Sequence, residues 1–148
     1  MKPLFKLLRL HKIERQLLIQ TFILLGLIRL GLRWLPFQKL LDILDNISQA
    51  SFRQPPLGPI RLEQIVHAVE LSSRYMPGEV LCLPRALTMQ VLMRHQGFAP
   101  QLRIGVAKGE QGNLEAHAWV EHQGNIVMGY IRDLSRYTPL PSFKGCRL

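Results

Sequence analysis

The sequence predicts an α+β fold in which helices come first and an antiparallel sheet follows. Three observations carry that expectation. Apolar residues recur at helical spacing up to about His95, as in Leu62, Ile65, Val66 and Val69. The period then shortens to two in "LRIGV" and "LEAHAWVEH", the mark of half-buried strands. A turn sequence, "HQGN", joins the second of these to "IVMGY" as a hairpin. Helices followed by a run of strands, with no alternation between them, define the class.

The elements follow in order. Residues 4–34 predict one or two amphipathic helices, from Leu4, Leu7, Leu8, Leu17, Phe22 and Ile28 at roughly helical spacing, closed by Pro36. A second helix is expected from Gln38 to Ser48. "SFRQPPLGPI", residues 51–60, holds three prolines and a glycine in ten positions. Proline lacks an amide and restrains the residue before it, so this stretch is a linker. It divides a helical N-terminal region, 1–50, from a core, 61–148. Arg61 to Tyr75 forms the next helix, which "MPGEV" ends at Pro77-Gly78. Another runs from Cys82 to about His95, with Gly97 at its C-terminal cap. In the strand at 114–122, His117, Trp119 and Glu121 share one face, and Ala116, Ala118 and Val120 the other.

The chain has 148 residues, 47% of them apolar and 20% charged, which suits one globular core rather than disorder. Residues 1–40 carry eight lysines and arginines against Glu14 alone, a surplus of seven out of a net charge of +9. A basic, leucine-rich front end suits nucleic acid, an acidic peptide or an anionic membrane surface. No zinc spacing, base-stacking motif or recognition-helix pattern accompanies the charge, which argues against nucleic acid. "LLIQTFILLGLI", residues 17–28, is short of the roughly 20 apolar residues of a spanning helix. It predicts a buried or interfacial helix and leaves peripheral membrane contact open. No small-residue cleavage site follows it. Two cysteines, Cys82 and Cys146, make no disulfide framework, and cytoplasmic residence is expected. The histidines are too scattered for metal-ligand spacing, and "KGEQGN" lacks the phosphate-loop pattern, so neither metal nor other cofactor is expected.

Cys82 at a helix start and His117 in a strand 35 residues later are the groups with chemistry to offer. The positive end of a helix and its unpaired amides favour a thiolate, and the same amides can hold an oxyanion. A histidine within reach completes a thiolate–imidazolium pair. Each residue also has a plain role, since free cysteines are commonly buried hydrophobes and strand histidines packed rings. The architecture is what joins them. Trp119 reads as a core ring or as a wall of a substrate groove. Arg85 reads as a helix-surface residue or as a contact for an acidic substrate group.

The motifs "P-G-x-x-x-C-L-P-R-A-L", "L-R-I-G-V" and "H-A-W-V-E" stand in order over residues 65 to about 140. Together they resemble the transglutaminase-like leader peptidases of lasso-peptide biosynthesis, cysteine proteases that remove the leader from a precursor peptide. The resemblance implies a papain-like core with a cysteine-capped helix packed on an antiparallel sheet. It makes Cys82 the nucleophile and His117 the general base. Such proteins often place an aspartate about a dozen residues after the histidine, where this chain has Gly129. Asp133, four residues late, is the nearest downstream carboxylate and would serve if the strand end bulges. Otherwise a backbone carbonyl, an amide such as Asn125, or nothing orients the ring. The resemblance further implies the precursor leader, a separate leader-recognition protein and an ATP-dependent lasso cyclase as partners; the basic, leucine-rich N-terminal helices are the candidate docking surface. A non-catalytic scaffold presenting the precursor, and an acyltransferase, are the rival expectations.

Overall fold

The computed structural model describes residues 12–50 and 60–140. The helical pattern expected over residues 4–11, nearly all of the proline-rich linker and Cys146 lie outside them. Four helices precede the sheet: α1 (Lys12–Trp34), α2 (Phe37–Ala50), α3 (Leu62–Tyr75) and α4 (Cys82–His95). Strands β1 (Gln101–Lys108), β2 (Leu114–His122) and β3 (Asn125–Met128) follow, then a short 3-10 turn, Leu134–Arg136, and β4 (Thr138–Pro139).

Helix α4 is the centre of the molecule. Every residue from Ala86 to Arg94 is buried, because α1, α2, α3 and β2 all pack around it. A helix apolar on one stripe only could not be covered on all sides. Its "ALTMQVLM" run supplies the side chains for that, with the Thr88 hydroxyl donating back to the Pro84 carbonyl at 2.7 Å. Leu87, Met89 and Met93 are completely buried and join Leu17, Ile28, Leu41, Ile65 and Val120 in one hydrophobic cluster. The two N-terminal helices therefore share their core with the sheet. Arg94 of α4 and Asp45 of α2 add an ion pair at 3.0 Å.

Helix α1 carries the 17–28 apolar run on through Arg15 and Arg29 and ends at Trp34, ahead of Pro36. Its 23 residues are long and apolar enough to cross a membrane by length and composition, while a third of its most apolar window is buried inside the protein. Leu17, Leu18, Leu25 and Ile28 face the core. Ile23, Leu27, Leu30 and Trp34 form an exposed apolar line on the far side. Arg29 turns instead to the loop ahead of α4, donating to the Pro77 carbonyl at 2.8 Å and the Glu79 carbonyl at 3.4 Å.

The sheet is antiparallel in the order β3-β2-β1-β4. Gln123 and Gly124, both at positive φ (51° and 81°), form the turn between β2 and β3 that suits the right-handed twist of a hairpin. Leu102, Ala118, Val120 and Met128 face α4. Since side chains alternate, Gly105, His117 and Trp119 belong to the other face, in the register Gly105 opposite His117. Strand β4 was not anticipated. It is two residues long, carries a proline, and docks on the β1 edge at Gly105 and Val106, where a missing amide is tolerated.

Candidate active site

Cys82 opens α4 as a free, half-buried thiol. The N-cap is Leu81, whose side chain makes no hydrogen bond to the first turn. Polar caps normally occupy such a position. Here the first-turn amides of Cys82 and Leu83 are left for a group from outside the helix. Pro84 sits in that turn, where its absent N–H deprives the helix of nothing.

His117 stands in mid-β2 between two aromatic rings. Trp119 stacks beside it at 6.2 Å between centroids and 19° between planes. Tyr137 leans on it at 5.7 Å and 50°. Gly105, across the ladder, makes the seat: a side chain there would meet the Trp119 ring at 2.9 Å and Tyr137 Cβ at 3.0 Å. Trp119 itself is held by its indole N–H, which donates to Glu121 Oε1 at 3.0 Å.

The third partner of the ring is main chain. His117 Nε2 lies 2.6 Å from the Gly129 carbonyl oxygen. A carbonyl can only accept, so the ring carries a proton on Nε2, and in the neutral imidazole Nδ1 keeps the lone pair a base needs. Gly129 has φ +93°, and a Cβ there would come within 2.7 Å of the Ala118 carbonyl oxygen and 2.9 Å of Trp119 Cα. An aspartate at this position would clash with β2.

Asp133 is corrected by the same geometry. The chain does turn after β3, but the turn brings the Gly129 carbonyl to the imidazole and carries Asp133 to the surface. There its carboxylate accepts from Arg136 Nε and Nη2 at 3.2 and 3.0 Å. Arg136 Nη2 also donates to Glu115 at 2.9 Å, and the Tyr137 hydroxyl reaches the same carboxylate at 3.3 Å. Hydrogen bonds to Glu115 and then Asp133 hold the Arg136 guanidinium above its usual range. Desolvation, and then the Glu115 charge, raise the Tyr137 phenol. Asn125, at the start of β3, pairs with His122 in the ladder instead.

Cys82 and His117 line one cavity of ≈ 250 Å³, with Arg85, Glu70, Met128 and Gly129 among its other walls. No hydrogen bond joins the sulfur to the ring. Trp119 is not among the residues lining this cavity, and its ring contact is with His117. Arg85 does line the cavity. Its Nη2 lies 3.6 Å from Met128 Sδ, and its Nε is buried with no acceptor. Two participants escaped the sequence: Tyr137, which carries no motif, and Gly129, whose signal was a glycine where the resemblance led one to expect an acid. Among the described residues no group of three histidine, cysteine, aspartate or glutamate side chains is placed to hold a metal. The other histidines found here serve packing or lie elsewhere, as His122 does, its ring edge-on to Phe98 at 5.6 Å.

Neither the curated proteins nor the solved structures yield a match. A family model does: the transglutaminase-like superfamily, over residues 23–142. That span contains α2 to α4, all four strands, both lining residues Cys82 and His117, and Gly129. With most of its length matched, this chain belongs to the transglutaminase-like superfamily, a family that includes cysteine peptidases.

Proposed function

We propose that the protein is a cysteine peptidase that removes the leader from a ribosomally made lasso-peptide precursor. The observation that carries this is the shared cavity of Cys82 and His117, with the imidazole held at Nε2 by Gly129. Cys82 Sγ, as thiolate, attacks the scissile carbonyl carbon, and the carbonyl oxygen takes up negative charge toward the uncapped first-turn amides. His117 Nδ1, having accepted the thiol proton, returns it to the leaving amine. Water then adds to the thioester with the same ring as base, and the cleaved peptide leaves. Tightening of the sulfur–imidazole contact when substrate fills the cavity is part of this scheme, since catalytic hydrogen bonds are often long without substrate. The protein would work in the cytoplasm, where the thiol stays reduced.

Leader capture is assigned to a separate recognition protein, acting beside the ATP-dependent cyclase that consumes the product. The exposed line of Ile23, Leu27, Leu30 and Trp34 on α1 is the docking surface in this scheme, and pelleting with anionic liposomes separates it from a membrane-surface role. A second reading has a specific observation behind it. Among the described residues the sulfur and ring are not hydrogen-bonded and no carboxylate orients the ring, which suits a scaffold that presents the precursor without cutting it.

The deciding experiment combines protein, precursor and recognition partner, with mass spectrometry of the products. Wild type is expected to release the leader, and Cys82→Ala and His117→Ala to lose about a thousandfold or more of that rate. Uncut precursor with wild type, partner binding having been verified, would establish the scaffold. Transfer of the cleaved acyl group to an added amine in preference to water would establish an acyltransferase.

A further inference from the structure

Arg85 lies three residues after Cys82 on α4, and residues so spaced share a helix face. Both side chains line the same cavity. The guanidinium has five N–H donors in a planar fork, yet its only contact here is with the thioether of Met128, at 3.6 Å. Thioether sulfur is a weak acceptor. The Nε–H is buried and has no acceptor at all. Glu70 is another wall of this cavity, but it is exposed and forms no ion pair with Arg85 within 4 Å. A cation so placed lines the cavity with a weak acceptor and no ion pair.

We propose that Arg85 and the cavity wall around it form a carboxylate-binding subsite beside the nucleophile, which selects an acidic residue next to the scissile bond. The proposal rests on Cys82 being the attacking group. A carboxylate has two coplanar oxygens that match the guanidinium fork. It also carries a single charge, which the nearby Glu70 tolerates better than the double charge of a phosphate. Filling the subsite gives the guanidinium a stronger acceptor than the Met128 thioether and holds the substrate beside Cys82, which lines the same cavity.

The test uses two small alkylating agents of nearly equal shape, iodoacetate and iodoacetamide, on the full chain in a Cys146→Ser background. In each case Sγ forms a bond to the methylene carbon while the carbon–iodine bond breaks and iodide leaves with the electron pair. The readout is the iodoacetate-to-iodoacetamide rate ratio at Cys82, divided by the ratio for free N-acetylcysteinamide. The expected quotient is about tenfold above unity, a size typical of one short-range charge contact near a surface. Arg85→Gln is expected to bring it down by most of that factor, and Arg85→Lys to fall between; a change in thiolate fraction affects both reagents alike and cancels in the ratio. Because Arg85→Gln keeps the helix terminus, an effect of the helix dipole alone would leave the ratio unchanged. A wild-type quotient near unity, or the same quotient in wild type and Arg85→Gln, overturns the subsite. If Arg85→Gln loses its circular dichroism spectrum, the wild-type quotient and Arg85→Lys still decide. The nucleophile assignment is read separately, from whether iodoacetamide itself modifies Cys82 faster than the free thiol. The ratio reports on Arg85 whichever way that comparison falls.

Discussion

The imidazole of His117 is bound to the carbonyl oxygen of Gly129, with 2.6 Å between Nε2 and oxygen. This one hydrogen bond sets the tautomer of the ring, and the rings of Trp119 and Tyr137 set its plane. A carbonyl dipole stabilises an imidazolium less than a full carboxylate charge would. The pairing therefore favours orientation over charge compensation.

Gly129→Ala is expected to destabilise the protein by about 1–3 kcal/mol, the range for a side chain forced into a positive-φ position. The added Cβ would press on Ala118 and Trp119 at 2.7–2.9 Å. Thermal unfolding reads this directly, and an unchanged melting temperature would show that the turn has room to relax. Gly129→Asp should be no better, despite restoring the acid that the resemblance led one to expect.

Asp133→Asn should leave peptidase activity within about threefold of wild type. Loss of a true orienting acid costs about 10⁴-fold in a serine peptidase triad, and Asp133 touches only Arg136. A loss approaching that size, measured as leader release, would return Asp133 to the ring.

Tyr137 links pH to stability. Desolvation raises its phenol above the ordinary value, so the folded protein holds this proton more tightly than the unfolded chain does. The contribution is complete below pH about 10, the unfolded value, and is lost as pH rises through the higher folded one. Urea midpoints between pH 9 and 11.5 should therefore fall more steeply for wild type than for Tyr137→Phe. Parallel curves would mean that the phenol is not linked to folding.

Arg29 holds the loop that leads into Cys82, through the Pro77 and Glu79 carbonyls. Arg29→Ala should loosen residues 76–80 by about 1 kcal/mol, the worth of an ordinary hydrogen bond. Amide exchange in that loop should quicken while exchange in the buried centre of α4 stays slow. Equal protection of the loop in both proteins would mean that α4 alone fixes Cys82.

Much of this was readable in advance because the signals were local. Helix α4 from Cys82 to His95 and strand β2 from Leu114 to His122 fall where proline, glycine and alternation put them. Cys82 and His117, which share one cavity, stood out for the same reason: a cysteine at a helix start and a histidine inside a regular strand. What escaped depends on three-dimensional closure. Strand β4 has no periodicity in two residues and exists only because β1 offers an edge. Asp133 was preferred to Gly129 because a sequence displays side chains and conceals carbonyl directions. The end of α1 at Trp34 was legible from Pro36, whereas the turn of Arg29 toward the Pro77 and Glu79 carbonyls was not, because that contact closes across 48–50 residues.

The carbonyl of Gly129 has a consequence for any mutational survey of this site. Replacing side chains one at a time would report a two-residue machine, because a peptide oxygen survives every substitution and can only be displaced. It also has no proton to lose near neutral pH. The acid limb of the activity profile should therefore lack the step that an ionising third carboxylate would add, leaving the cysteine–histidine pair to shape it.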